Sequence, residues 1–416
     1  MSVSVKSLSI RQILSTLPVA NQALLLAFVF AVSFGFVMVA SSSIDFAAYR
    51  YNDPWFFARR HAVFLVLAAA VFFFVLSLPS SFWQRHSSLL LIAAIALLCL
   101  VLIPGVGKVV NGSRRWLPLG PINLQASELA KFCLLMFFAS FLAERRDALT
   151  HSWSEFARMI LIMAIVAALL LLEPDFGSAA VITATLTAMM FVAGVRVFRF
   201  LLLLSAGIGG LAFLAVSSSY RWERLITFMD PWQRQFDSGY QLVQSLIAFG
   251  RGEWTGLGLG NSIQKLFFLP EAHTDFIFAI IAEELGFIGV VFVLGLFTAL
   301  VVMCLLVARR ALAQQAFCQG FFVFGVAVLI ALQAFINMGV ASGFLPTKGL
   351  TLPFLSYGGS SLLVMSALMA LVFRIEIELY LNAYKITKPG GKAKAGKVAR
   401  NKSDARYQPG GRRAHV

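Results

Sequence analysis

Ten apolar runs between residues 22 and 376 constrain this chain more than any other feature. Each is close to the roughly 20 residues that a helix needs to cross about 30 Å of hydrocarbon. The stretch 159–192 looks like one run, but as a single helix it would measure about 51 Å at 1.5 Å per residue. Glu173-Pro174-Asp175-Phe176-Gly177 divides it into two short spans. The pattern predicts an all-α integral membrane protein of about ten transmembrane helices, with an even count placing both termini on one side. Residues 21–376 form the membrane domain, preceded by a polar segment at 1–20 and followed by a tail at 377–416. The first run is too long for the core of a cleavable leader and has that polar segment ahead of it.

Composition agrees with this class: 59% of residues are hydrophobic and 13% charged, against about 25% charged in soluble domains. Cys99, Cys133, Cys304 and Cys318 sit in apolar runs without metal-like spacing. They read as small core residues, with no disulfide or zinc framework. Residues 385–416 hold ten Lys or Arg against one Asp, with Pro-Gly-Gly twice. That is a disordered basic tail suited to an anionic leaflet; no folded module accompanies it to suggest nucleic acid.

Orientation follows from the excess of Lys and Arg on the cytoplasmic side. The short loops carrying Arg85, Arg145, Arg146, Arg196, Arg309 and Arg310 lie on the side of the basic tail, which makes both termini cytoplasmic. By parity, 218–275 is one large structured loop on the outer face. Its residues Tyr240, Leu242, Val243, Leu246, Ile247 and Phe249 keep helical spacing and predict an amphipathic helix along the membrane surface. The Gly-x-Gly-x-Gly of TGLGLGNS, 255–262, has neither a preceding strand nor a following Lys-Ser/Thr. It reads as a tight turn, not a phosphate loop. The outer face nevertheless keeps Lys108, Arg114, Arg115, Arg221, Arg224, Arg234, Arg251, Lys265 and Lys348. Cations held there against the topological preference point to an anionic ligand.

The chemistry-bearing residues gather at that face. In LPEAHTDFIFAIIAEELG, Glu271, His273 and Asp275 stand before an apolar helix read over 276–308, with Glu283 and Glu284 on it. Asp275 could simply cap the helix, and His273 reads as a structural hydrogen-bonder or a proton carrier. Carboxylates at membrane depth are costly unless paired and usually mark a site; by helical period Glu283 is the better placed of the two. QASELAK puts Glu128 and Lys131 three apart on one helix face, as a structural ion pair or a phosphate contact. In NGSRRWLPLG, Arg114 and Arg115 could together grip a phosphate. Lys348 lies in NMGVASGFLPTKGLTLPFLSYGGSS, a re-entrant connection into the last span, where non-helical backbone survives only under cover.

The strings SRRWLPLG…QASELAK, EPDFG, GYQLVQSLIAFGRGEWTGLGLGNS, LPEAHTDFIFAIIAEELG and LPTKGLTLPFLSYGGSS resemble the SEDS family (shape, elongation, division and sporulation). The N-terminal extension and basic tail are similar to its division-type members in Gram-negative bacteria. The resemblance implies polymerisation of the lipid-linked disaccharide-pentapeptide lipid II into peptidoglycan at the septal inner membrane, in a site facing the periplasm. It further implies that Asp275 is the general base, ionised with an ordinary pKa near 3.9, and that undecaprenyl pyrophosphate leaves with inversion. Arg114, Arg115, Lys131 and Lys348 become candidates for the pyrophosphate, with Glu128, His273 and Glu283 in support. No cofactor is required by the sequence; a divalent cation, Mg or Mn, could assist, and its ligands are unknown. Implied partners are the transpeptidase FtsI and the regulators FtsQ, FtsL, FtsB and FtsN. The alternatives are a lipid II flippase, which needs a polar path across the membrane, and a non-catalytic scaffold recruiting the transpeptidase.

Overall fold

Each of the ten apolar runs is carried by its own helix, and every proline between residues 19 and 387 falls outside those ten helices, as its missing N–H requires. The computed structural model describes residues 19–110, 112–120, 122–216, 219–347 and 349–387. Lys348, most of the N-terminal segment and the tail beyond 387 lie outside the described residues. In chain order the helices are α1 (Val19–Tyr51), α2 (Phe56–Ser77), α3 (Ser80–Arg85), α4 (Ser87–Leu102), α5 (Ala126–Glu144), α6 (Arg146–His151) and α7 (Trp153–Leu172). They continue with α8 (Phe176–Val192), α9 (Val197–Val216), α10 (Ser219–Met229), α11 (Tyr240–Gly252), α12 (Ile277–Ala313), α13 (Phe317–Ala341) and α14 (Gly359–Thr387). Among the described residues six helices, α1, α2, α5, α7, α12 and α13, are long and apolar enough to cross a membrane. The chain is a multi-pass membrane protein.

Helices that are apolar all round belong at the centre. Leu134 and Phe138 of α5, and Phe322 and Ile330 of α13, are wholly buried, while Leu161 of α7 and Ile288 of α12 stay about 61% exposed, as lipid-facing residues do. The last helix runs to Thr387, past the expected boundary at 376, because Ile377 and Leu379 are still buried.

The expected all-α fold needs one correction. Residues 108–125 form a three-stranded antiparallel sheet, β1 (Lys108–Val110), β2 (Ser113–Leu119) and β3 (Ile122–Gln125), in that order. Trp116 pairs with Gln125 and Leu117 with Leu124, and the sheet delivers the chain directly into α5.

A second correction concerns the helix read as continuous over 276–308. At Gly286 the backbone turns to φ 65°, ψ −162°, breaking α12. The segment 253–258 mends the break. Leu257 N–H donates to Glu283 O (3.0 Å) and Gly258 N–H to Glu284 O (3.0 Å), while Phe287 and Ile288 N–H donate to Glu253 O (2.9 Å) and Trp254 O (3.2 Å). The donors and acceptors freed by the break therefore find partners in the glycine-rich turn, as a buried backbone demands. Helix α11 was expected on the membrane surface. It instead packs its apolar face on the protein: Leu242, Val243 and Ala248 are buried, and the Cβ that Gly252 lacks would lie 1.9 Å from Ala282 O.

Candidate functional site

Asp275 does not cap the helix it precedes. The cap position of α12 is Phe276, with no side-chain capping bond. The Asp275 carboxylate is half-buried and has no hydrogen bond or ion pair to the described residues. Asp175 shows the contrast: its side chain accepts from Ser178 N–H at 3.2 Å and caps α8. Burial and the nearby Glu271 carboxylate push the Asp275 carboxyl up to about 7, with the Arg115 guanidinium acting in the opposite sense. The ordinary value expected from sequence is thereby corrected: desolvation disfavours the charged form.

Asp275 is held at its backbone, while its side chain is free among the described residues. Asn337 of α13 donates to Asp275 O (2.8 Å) and to Leu350 O (2.6 Å), tying the turn to the connection between α13 and α14. In that connection Gly349 faces the carboxylate, and its missing Cβ would sit 3.0 Å from Asp275 Oδ2. Leu350 fills the space over Gly177 of EPDFG, where a Cβ would come within 2.8 Å of it. Ser360 accepts from Gln125 N–H (3.1 Å) and donates to Asn123 O (3.1 Å), fixing the start of α14 to β3. The connection is thus held to the Asp275 turn, to Gly177 and, at the start of α14, to β3.

Alternation along β2 separates Arg114 from Arg115, since successive strand residues point to opposite faces. Arg114 donates to Leu102 O at 3.1 Å, at the end of α4. Arg115 lies 3.8 Å from Asp175 Oδ1 and within electrostatic range of both Asp275 and Glu173. The two arginines expected to work as a pair thus divide, and only Arg115 belongs to the acid cluster. Glu173, in the turn after α7 ends at Leu172, is wholly buried with neither oxygen bonded. Burial and Asp175 raise its carboxyl to about 8 despite Arg115.

The other predicted residues have structural partners. Lys131 and Glu128 are both buried and bonded to each other at 2.6 Å. Glu283 accepts from Ser262 Oγ and from the N–H groups of Ile263 and Gln264, both at 3.2 Å, with Arg251 at 3.4 Å. Glu284, facing the other way, accepts from Ser41 Oγ at 2.8 Å and pairs with Lys265 at 3.4 Å. Both carboxylates staple the 251–265 segment and α1 to the break in α12. His273 lies in an aromatic cage, 4.6 Å from the Phe57 ring and 5.7 Å from that of Tyr357. Burial lowers its pKa, so the ring is neutral near pH 7; its carbonyl accepts from Tyr357 N–H at 2.9 Å.

Among the described residues no three His, Cys, Asp or Glu side chains cluster as a metal ion would require, and no step is assigned to Mg or Mn. Sequence reasoning missed Asn337, Gly349 and Glu173. The signal for the first was an amide in the apolar last turns of α13; for the second, a glycine after Lys348.

Residues 21–381 match the family described as "Cell cycle protein", whose members include FtsW, RodA and SpoVE. The chain is 62% identical over 348 residues to the probable peptidoglycan glycosyltransferase FtsW of Saccharophagus degradans, covering 84% of this chain and 90% of that protein. It is 49% identical over 362 residues to the protein of the same name from Hahella chejuensis, covering 87% and 90%. Among solved structures, a chain described under "structural coordination of polymerization and crosslinking by a peptidoglycan synthase complex" superposes with a TM-score of 0.70. It is 31% identical, over 86% of this chain and 98% of that one. The rod shape determining protein RodA of Thermus thermophilus superposes at 0.61 with 29% identity, over 85% and 95%.

Proposed function

This chain belongs to the SEDS family of cell cycle proteins, and we propose that it polymerises lipid II into glycan strands at the division septum. It is a peptidoglycan glycosyltransferase, as its relatives are named. One observation carries the mechanism: Asp275 is a half-buried carboxylate unbonded among the described residues, with Arg115 as its electrostatic neighbour. A group poised near neutral pH is well matched to general base catalysis, a contribution of about 10²–10⁴-fold.

In this reading Asp275 takes the proton from the 4-hydroxyl of the acceptor sugar as that oxygen attacks the donor's anomeric carbon. The new glycosidic bond forms with inversion, and the bond to undecaprenyl pyrophosphate breaks. Arg115, together with Lys348 next to Gly349, stabilises the charge developing on the leaving pyrophosphate. Arg114 acts from behind, tying β2 to the end of α4 through Leu102 O, and Lys131 neutralises the buried Glu128 within α5. The ten-span layout, cytoplasmic termini and periplasmic site follow the basic tail and loops. A transpeptidase working beside the chain is the partner this activity calls for, FtsI in the division setting, with FtsQ, FtsL, FtsB and FtsN as regulators.

A flippase would carry the pyrophosphate along a polar path. The cavity of about 350 Å³ between α1, α2 and α14 is instead lined by side chains such as Leu25, Phe28, Phe72 and Phe373, which suit an acyl chain and not a diphosphate. The deciding experiment supplies lipid II to the purified protein with its transpeptidase. Long glycan strands are expected from the parent and none from Asp275→Ala. Equal polymer from both would remove Asp275 from the chemistry, and lipid movement without polymer would favour the flippase.

A further inference from the structure

At the far end of α5 from Asp175 and Gln125, a recess of about 520 Å³ opens between the α3–α4 corner and the last turn of α5. Helix α5 has 19 residues and so spans about 28 Å, which sets this recess at the opposite membrane face from Asp275. One wall is made by Ser81, Gln84, Arg85, Ser87 and Ser88. None of these five side chains has a hydrogen bond or ion pair to the described residues. Ser87 is only 7% exposed, yet its hydroxyl lines the recess without a partner. A nearly buried polar group normally finds one.

The wall also contains the N-terminus of α4, a 16-residue helix whose cap residue His86 makes no side-chain capping bond. Its first N–H groups and the helix dipole favour an anion there, and Arg85 adds a full charge. The facing wall has a different sign. Arg145 is held by Glu155 at 2.6 Å, whereas Glu144 gives only one oxygen to Ser140, at 3.0 Å. The recess therefore offers an anion site and, across from it, an acid with one oxygen unbonded among the described residues. Beside it Phe82, Leu89 and Ile92 are 40–62% exposed, an apolar surface running along α4 into the membrane.

We propose that this recess binds a phospholipid headgroup carrying both a phosphate and an ammonium, such as phosphoethanolamine. The phosphate sits on Arg85, Ser87, Ser88 and the α4 N-terminus, the ammonium faces Glu144, and the acyl chains lie along Leu89 and Ile92. A free phosphate would gain nothing from the apolar flank or from Glu144, so the source is the lipid.

The test uses the full-length chain in nanodiscs of mixed phosphatidylethanolamine, phosphatidylglycerol and phosphatidylcholine, released for native mass spectrometry. One phosphatidylethanolamine should be retained at about tenfold above its bulk share, a preference worth one charge-assisted contact. Arg85→Ala, at an exposed position where the fold should persist, should lower retention about tenfold. Glu144→Gln should keep a lipid bound but abolish the choice of phosphatidylethanolamine over phosphatidylglycerol. Retention unchanged in Arg85→Ala, enrichment of phosphatidylglycerol over phosphatidylethanolamine in the parent, or displacement of the lipid by added inorganic phosphate would each overturn the proposal.

Discussion

Gly349 stands so close to Asp275 that the Cβ it lacks would lie 3.0 Å from the carboxylate Oδ2. The backbone of Gly349 is not in the left-handed region, so alanine fits its conformation and only the added carbon matters. That carbon must move the carboxylate by a few tenths of an ångström or be moved by it. Near-attack geometry tolerates little, an error of 1 Å costing about 100-fold. Gly349→Ala should therefore lower kcat for lipid II polymerisation by about tenfold while thermal stability and KM stay near those of the parent. A variant with unchanged kcat would mean that Asp275 has room to spare.

The pH profile should report Asp275 directly. Its carboxyl is raised to about 7 by burial and Glu271, and a general base works only when ionised. The rate should rise about tenfold per pH unit below that midpoint and level off above it. Arg115 favours the ionised form, so Arg115→Gln should move the midpoint upward, whatever it does to the plateau. Initial rates of lipid II consumption between pH 5.5 and 9 measure both, and a flat profile for the parent would exclude the assignment.

Length and apolarity made the helices readable because a bilayer accepts few solutions, and the acid at the mouth of α12 was visible for the same reason: charge there needs a cause. What stayed hidden depended on tertiary partners. The sheet at 108–125 is short and mixes Arg114, Arg115 and Pro118 into one strand, without a clean alternation. Only once β2 exists does it follow that neighbouring arginines face apart. The roles of Glu283 and Glu284 depend on segment 251–265 and Ser41, which adjoin them only in space. Burial, and with it the shift at Asp275, is likewise a property of the packed connection around Gly349 and Asn337.

Gly286 gives a stability prediction free of chemistry. Its φ of 65° is one that L side chains rarely adopt, and an added Cβ would come within 2.4 Å of Gly256 N. The obstacle is backbone, and its removal would break the reciprocal bonds between 253–258 and α12. Gly286→Ala should cost at least about 3 kcal/mol. Gly295, in the same helix with nothing within 4 Å of its missing Cβ, is the control; Gly295→Ala should be neutral or stabilising by up to about 1 kcal/mol. Thermal unfolding of the two variants in one detergent compares them, and equal stability would show that the break at Gly286 yields easily.

Glu128 and Lys131 separate structure from catalysis most cleanly. Their side chains are about 4% and 0% exposed and bonded at 2.6 Å. Removing one partner strands the other charge in the interior, which costs about 3–5 kcal/mol. Lys131→Met alone should therefore unfold at markedly lower temperature, and its loss of activity would say nothing about substrate. The double variant Glu128→Leu, Lys131→Met replaces both charges with apolar groups of similar volume, and such swaps are often neutral. Because Lys131 reaches no solvent and its bonded partner is Glu128, the double variant should regain both most of the lost stability and most of the polymerase activity. A double variant that is stable but inactive would place Lys131 on the leaving pyrophosphate, and α5 would then have to open toward the substrate during turnover.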